Sequence, residues 1–199
     1  MKRFVFLLLV FFNFKCLSSY ILIPMDGSQT NHLKSYGIAY LSLQNEVSVD
    51  WLLNYKGGSF LIKHYSEIEK ECIVRNVSYQ IIANTQASEI LKDVSSPSQN
   101  QEVIRLEKKP KIAIYSPKHT QPWDDAVTMV LTYAEIPYDV IYDEEVLSDI
   151  LPLYDWLHLH HEDFTGQYGK FYSVFKNTKW YKNQKIELEN LAKKLGYKK

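Results

Sequence analysis

The densest group of side chains able to do chemistry is a run of histidines and carboxylates in the C-terminal third of the sequence. His158, His160 and His161 stand beside Glu162 and Asp163. Imidazole nitrogens and carboxylate oxygens bind zinc or iron, and they also move protons in general acid–base catalysis. The run therefore indicates a metal site, a metal-free polar or catalytic site, or a loop ordered by its own hydrogen bonds.

The metal interpretation uses His158, His160 and Asp163. The two histidines are two residues apart and so share one face of a strand. The run resembles the H-x-H-x-D-H pattern of metallo-β-lactamase-like hydrolases, but Glu162 replaces the Asp and Asp163 replaces the last His. We keep a metal-dependent hydrolase as an alternative. In a site without a cofactor, His160, His161, Glu162 and Asp163 are the candidates for base or orienting groups, and the catalytic residues themselves stay unassigned.

A second polar cluster, residues 116–125, follows another predicted strand and opens a helix. We expect His119, Trp123, Asp124 and Tyr168 to contact a bound molecule, and Asp124 to serve also as the helix N-cap. Carboxylates at a helix start occupy the positive end of the helix dipole, so phosphate is disfavoured there. If the two strands concerned are neighbours, both clusters line one rim.

No nucleophile is recognisable in the sequence. Cys72 follows Tyr65 and Ile68 at helical spacing and is predicted to lie in the core. A G-x-S-x-G elbow, a G-x-G-x-x-G loop and a Walker A loop are all absent. The sequence therefore leaves open whether the protein is an enzyme.

The elements that must position these residues alternate between apolar runs and helical patterns, which is typical of an α/β fold. We predict a flavodoxin-like or Rossmann-like open, mostly parallel sheet with flanking helices. The predicted strands are 20–24, 47–53, 60–62, 79–82, 111–116, 138–142 and 154–160, and the predicted helices are 29–44, 66–75, 87–94, 124–135 and 181–195.

The predicted organisation is a signal peptide at 1–19, an N-terminal α/β half at 20–94, a linker or crossover at 95–110, and an incomplete α/β half at 111–199. Two basic residues precede an apolar run and small residues, as in a secretory signal. Its removal leaves a net charge of −3 and one cysteine. We expect a periplasmic or secreted protein that meets the membrane only during export and binds no nucleic acid.

Four segments carry a resemblance to a known family: ILIPMD, VDWLLNYKGGSFLI, KIAIYSPKHTQPWDDAVTMVLTYAEIPYDVIYDEEVL and LYDWLHLHHEDFTGQYGKFY. They resemble secreted bacterial proteins labelled asparagine synthetase B. The resemblance implies a class I glutamine-amidotransferase-like domain with a flavodoxin-like fold, of which this chain is the N-terminal half. It also implies a nucleophilic Cys downstream of Lys199.

The label does not imply asparagine synthesis driven by glutamine hydrolysis. Lys2 follows Met1 where such a synthetase has its Cys nucleophile, and an S-G-G-x-D-S loop for ATP is absent. The sequence thus leaves three hypotheses: an amidotransferase-like or hydrolase-like half-site, a non-catalytic envelope module that binds a polar small molecule or glycan, and a metallohydrolase. In the second hypothesis Tyr172 joins Trp123 and Tyr168 at the rim.

Overall fold

The computed structural model describes residues 19–116, 126–159 and 167–197. Its strands are β1 (Ser19–Ile23), β2 (Val49–Leu53), β3 (Ser59–Lys63), β4 (Gln80–Ala83), β5 (Glu102–Leu106), β6 (Ile112–Tyr115), β7 (Asp139–Ile141) and β8 (Trp156–Leu159). Its helices are α1 (His32–Gln44), α2 (Ser66–Val74), α3 (Asn84–Val94), α4 (Ala126–Ala134), α5 (Asp143–Leu147), α6 (Gln167–Phe175) and α7 (Lys179–Lys194).

The described chain forms two compact units. The first holds residues 19–30 and 47–106, and the second holds residues 31–46 and 107–197. Helix α1 is therefore grouped with the second unit, although it follows β1 in the chain. Strand β5 lies inside the segment 95–110, for which the sequence predicts a linker or crossover.

The first unit is built on a five-stranded sheet with the order β4-β1-β3-β2-β5, and every neighbouring pair in it is antiparallel. The prediction of an open, mostly parallel flavodoxin-like or Rossmann-like sheet is therefore wrong. The chain runs β1-α1-β2 and β3-α2-β4. Strand β3 lies between β1 and β2, and β1 lies between β3 and β4. This is the split βαβ arrangement, which produces the same alternation of strands and helices along the sequence.

Strand β3 explains the error. The sequence marks residues 60–62 only as a short extra strand, yet β3 is the central strand of the sheet. A short turn after β2 brings β3 back beside it, and β3 also pairs with β1. Ser59, Phe60, Leu61 and Ile62 are all buried because both faces of a central strand are covered.

One face of this sheet packs against α3. Leu22, Leu52, Leu61 and Ile82 form a buried cluster with Ala87 of the helix. Strand partners explain the grouping, because Leu22 faces Leu61 across β1 and β3. Burying such side chains contributes about 1.5–3 kcal/mol each, so this cluster is a major source of stability for the first unit.

The buried side-chain amide of Gln29 links two segments of the first unit. Gln29 Nε2 donates to the Pro24 carbonyl at 2.8 Å and to the Ser78 carbonyl at 3.1 Å. Gln29 Oε1 accepts from the Ser78 backbone N–H at 2.8 Å. The side chain thus ties the segment after β1 to the segment before β4 and satisfies buried polar groups that water cannot reach.

The second unit contains a three-stranded sheet with the order β7-β6-β8, and both strand pairs are parallel. Ile112 and Ile114 of β6 pack on Leu131 of α4. Residue 113 is also fully buried, so both faces of β6 are covered, as parallel strands require.

Helix α1 is joined to α4 by polar contacts at one end. Asn31 Nδ2 donates to the Tyr133 hydroxyl at 2.9 Å, and Lys34 Nζ pairs with Glu135. The Lys34 ammonium also lies 5.0 Å from the centre of the Tyr133 ring. These contacts hold α1 in the second unit.

We predict that Gly57→Ala destabilises the protein by about 2 kcal/mol or more. Gly57 has a φ of +78°, and an added Cβ would lie 2.4 Å from the Met25 carbonyl oxygen. The turn between β2 and β3 would have to shift, and with it the Met25 N–H bond to the Lys56 carbonyl. Urea unfolding followed by circular dichroism measures the change.

Gly27→Ala is the matched control, because nothing lies within 4 Å of a Cβ added there. We expect its free energy of unfolding to stay within about 0.5 kcal/mol of the natural protein. Equal stability of the two variants would contradict the turn described here.

Candidate functional site

Most residues that the sequence singles out for chemistry lie outside the described part of the chain. Strand β8 carries His158, and α6 includes position 168. The residues outside the described ranges are His119, Trp123, Asp124, His160, His161, Glu162 and Asp163. Their roles therefore remain predictions, and the structure bears on them through the strands that lead to them.

Those strands are neighbours. β6 and β8 pair in parallel, and the register places Tyr115 opposite Leu159. The chain therefore leaves both strands at the same edge of the sheet, toward residues 117–125 from β6 and toward residues 160–166 from β8. The condition that the sequence analysis set for one shared rim, that the two strands be adjacent, is met.

The order of the strands marks this edge as a place for ligands. The chain passes from β6 to β7 on one side of β6 and then to β8 on the other side of β6. The direction in which strands are added therefore reverses, and the crevice lies between β6 and β8. In parallel sheets, ligands bind beyond the carboxyl ends of the strands at such a reversal, where the loops diverge and leave a crevice.

Described polar groups also stand at this edge. The Tyr115 hydroxyl donates to Asp143 Oδ1 at 2.6 Å, and the rings of Tyr115 and Tyr142 are 5.2 Å apart. The Ser116 N–H donates to the Ile141 carbonyl at 3.0 Å, which carries the pairing one residue past β6. Sequence reasoning missed the Tyr115–Asp143 pair because only the register of β6 and β7 brings the two residues together.

The charge near the end of β7 is negative. Asp143, Glu144 and Glu145 fill the first turn of α5. Glu145 Oε2 accepts from the Tyr142 N–H at 2.9 Å, so one of these carboxylates caps its own helix. Lys194 Nζ lies 3.9 Å from Glu144 Oε1, so part of this negative charge is compensated.

The metal interpretation has only His158 within the described residues. Its ring lies 6.4 Å from the ring of Trp156, two residues earlier on the same face of β8. Among the described residues, no group of three His, Cys, Asp or Glu side chains is placed to hold a metal ion. His160 and Asp163 lie outside those residues, so this alternative stays a prediction.

Cys72 is a core residue, as the sequence predicts. It is fully buried on α2, and burial raises the pKa of its thiol to about 12. A thiol with such a pKa is protonated at neutral pH and is a poor nucleophile. Cys72 therefore takes no part in any covalent chemistry proposed for this chain.

A second titratable cluster lies in the first unit. His64 Nε2 lies 2.7 Å from Glu69 Oε2, and the Tyr79 hydroxyl donates to Glu69 Oε1 at 3.0 Å. The sequence predicts Ser66 as the N-cap of α2 with Glu69 in a capping box, but the N-cap is Tyr65. Glu69 instead links the end of β3, helix α2 and the approach to β4, which is a structural role.

We predict that Glu69→Gln lowers stability at pH 7 and that the deficit shrinks in acid. Hydrogen bonds from His64 and then Tyr79 lower the pKa of the Glu69 carboxyl in the folded protein. The unfolded chain therefore binds the proton first, and the stabilisation is present above about pH 4.3 and is lost as pH falls through the folded pKa. Urea unfolding at a series of pH values from neutral to acid measures it.

Glu67→Gln on the exposed side of the same helix is the control, because its side chain is exposed and takes no part in this cluster. We expect it to leave both the stability and its pH dependence nearly unchanged. A deficit for Glu69→Gln that stays constant down to the acid end would contradict the prediction.

No protein-family model, no curated protein and no solved structure matches this chain. In the part of the chain that the structure describes, no helix is long and apolar enough to cross a membrane.

Proposed function

We propose that this chain is an exported protein that binds a polar small molecule at the carboxyl edge of β6 and β8. The observation that supports it is the parallel pairing of these two strands with Tyr115 opposite Leu159. That register brings the starts of the two polar segments, residues 117–125 and 160–166, to one edge of one sheet.

The residue types of the two segments suit a polar ligand. Trp123 offers a flat apolar surface, and His119 and His160 offer nitrogens that donate or accept hydrogen bonds. Asp124, Glu162 and Asp163 are carboxylate acceptors in the same two segments. This excess of carboxylates favours hydroxyl, amide or amino groups on the ligand over phosphate.

We propose binding and leave turnover to the experiment, because the candidate base residues His160, His161, Glu162 and Asp163 lie outside the described part of the chain. The only cysteine among them is buried with a raised pKa, and Ser116 at the edge is fully buried. Amide hydrolysis, which the family resemblance implies, would need a nucleophile from elsewhere. It therefore enters as an outcome of the binding experiment and not as a second proposal.

We expect neutral polar molecules to raise the melting temperature of the purified protein, and His160→Ala or Trp123→Ala to remove the effect. The panel contains amino acids, their side-chain amides, and neutral mono- and disaccharides, each with a phosphorylated counterpart where one exists. Loss of a well-placed polar or stacking contact should weaken binding about tenfold or more, or about 1.4 kcal/mol. Calorimetric titration of the best ligand measures this loss.

His32→Ala is the matched control, because His32 is an exposed residue at the start of α1. We expect it to bind like the natural protein. A thermal shift caused only by phosphorylated compounds would contradict the proposal, as would a shift unaffected by His160→Ala. Release of ammonia from an amide ligand would replace binding with hydrolysis as the function.

Export itself makes a prediction about the mature N-terminus. Ser19 is the first residue of β1, it faces Ala83 of β4, and its carbonyl accepts from the His64 N–H at 2.9 Å. Cleavage between Ser18 and Ser19 keeps these contacts, and cleavage after Ser19 removes them. We therefore expect an intact mass that corresponds to a chain beginning at Ser19, one residue earlier than the signal-peptide boundary predicted from the sequence.

The full-length chain made with an inactivated export pathway is the control for this measurement. It should retain Met1 or lose only that residue. A full-length mass in the envelope fraction would show a retained anchor, and a protein found only in the cytoplasm would contradict export.

A further inference from the structure

The second unit holds a cavity of about 810 Å³, which lies within the size range of small-molecule sites. Most of the surface that faces the cavity is carbon, and Leu188 and Ala192 of α7 supply its aliphatic part. A ligand that gains free energy by leaving water for this cavity must therefore present an apolar body. The remaining apolar surface belongs to the rings of four tyrosines: Tyr142, Tyr172, Tyr181 and Tyr197.

Helix α7 borders the cavity without packing on a core. Its last two turns carry an apolar stripe at helical spacing, formed by Leu188, Leu191, Ala192 and Leu195. Such a stripe is typical of a helix with a buried face, yet none of the 16 residues of α7 is buried. Part of the apolar face of α7 therefore meets the cavity and not other side chains.

The helix is anchored on both sides of this stripe. Near its start, the ring of Tyr181 lies 5.8 Å from the ring of Tyr172 in α6. Beyond its end, the Tyr197 hydroxyl donates to the Leu147 carbonyl of α5 at 3.3 Å. The two anchors hold α7 across the cavity, so the space between them belongs to the folded second unit.

Two lysines of α7 stand at the rim of the cavity. Lys185 and Lys193 are exposed lining residues, separated along the helix by eight positions, or about 12 Å. Within the described part of the chain, neither ammonium group has a carboxylate partner, whereas Lys194 pairs with Glu144 at 3.9 Å. Glu189 lies one turn from each of the two lysines, so the rim carries a net charge of +1.

The charge of the whole helix acts in the same direction. Helix α7 contains five lysines and two glutamates, which gives it a net charge of +3. The carboxylates of α5 are not among the described residues that line the cavity. The rim therefore attracts an anionic group and repels a cationic one, and salt weakens both effects.

We propose that this cavity binds a long-chain carboxylate, with the alkyl chain against the tyrosine rings and the aliphatic side of α7 and the carboxylate at the rim beside Lys185 and Lys193. The chain then leaves water for carbon surface, and the carboxylate keeps both water and an ammonium group as partners. The inference goes beyond the proposed function and does not depend on it, since it uses only described residues of the second unit.

The chemical class is tested with the full mature chain and three carboxylates, octanoate, decanoate and dodecanoate, each below its micelle concentration. Calorimetric titration should show affinity rising about fourfold for each methylene that the cavity buries. Dodecylammonium has the same chain with the opposite charge and should bind about tenfold more weakly than dodecanoate. Equal affinity for the three carboxylates, or for the two dodecyl compounds, would overturn the proposal.

The role of the rim is tested by removing its charges. Lys185→Gln and Lys193→Gln should each weaken dodecanoate binding about two- to fivefold, as expected for exposed ion pairs, without weakening dodecylammonium binding. Lys182→Gln is the matched control, because this exposed lysine is on the same helix and is not among the residues that line the cavity. A loss in Lys182→Gln as large as that in the rim variants would overturn the placement of the carboxylate.

The place of the alkyl chain is tested by filling the cavity. Ala192→Trp adds an indole to the wall and should abolish binding of all three carboxylates while the circular dichroism spectrum is kept. Full affinity in folded Ala192→Trp would overturn the proposal. The lysine variants keep the test decisive if Ala192→Trp does not fold, because their side chains are exposed.

Two further outcomes would assign the same surface to another partner. The chain should not sediment with vesicles of phosphatidylglycerol or of phosphatidylcholine. Sedimentation with phosphatidylglycerol vesicles and no binding of dodecanoate would make α7 a membrane-binding helix and overturn the cavity site. Self-association that Ala192→Trp abolishes would assign the cavity to a second copy of the chain and would also overturn it.

Discussion

Strand β6 lies between β7 and β8 and pairs in parallel with both, and the placement of the candidate site depends on this arrangement. Parallel partners must be reached by crossover connections, so all three strands end at one edge. Ile112, Ala113 and Ile114 are all buried, so both faces of β6 contribute to the core of this unit. The register then brings Tyr115 beside the end of β8 and the Tyr115 hydroxyl to Asp143.

The first unit is organised by a different constraint. Its five strands are antiparallel, and its central strand, β3, is reached through a turn that requires a glycine at position 57. The His64–Glu69–Tyr79 cluster and the Gln29 amide form hydrogen bonds that link the segments flanking the strands of the sheet. Within this unit, the hydrogen-bonded cluster of His64, Glu69 and Tyr79 holds elements together, and the functional proposals concern the second unit.

The edge site in the second unit follows from strand order and from polar segments that are known by sequence. The same unit holds a cavity lined by Tyr142, Tyr172, Tyr181 and Tyr197. Tyr142 links the cavity to the carboxyl edge, since its ring packs on the ring of Tyr115.

Local pattern alone determined most of the elements. The apolar runs and helical spacings in the sequence predict strands β1 to β4 and β6 to β8 and helices α1 to α4 and α7 with small errors at their ends. Burial of Cys72 also follows from helical spacing. The elements that the sequence missed, β5 and α6, have weak periodicity, because β5 is a partly exposed edge strand and α6 carries exposed residues.

Only the tertiary structure decided strand direction and neighbours. A period of two residues reports which face is buried, but it is the same for parallel and antiparallel strands, so the split βαβ order of the first unit was hidden. The tyrosine cavity and the Tyr115–Asp143 pair were hidden for the same reason, since their members are far apart in sequence and meet through strand register and helix packing. The histidine and carboxylate run is recognisable in the sequence because its residues are adjacent in the chain. Only the pairing of β6 with β8 shows that the run and residues 117–125 follow neighbouring strands.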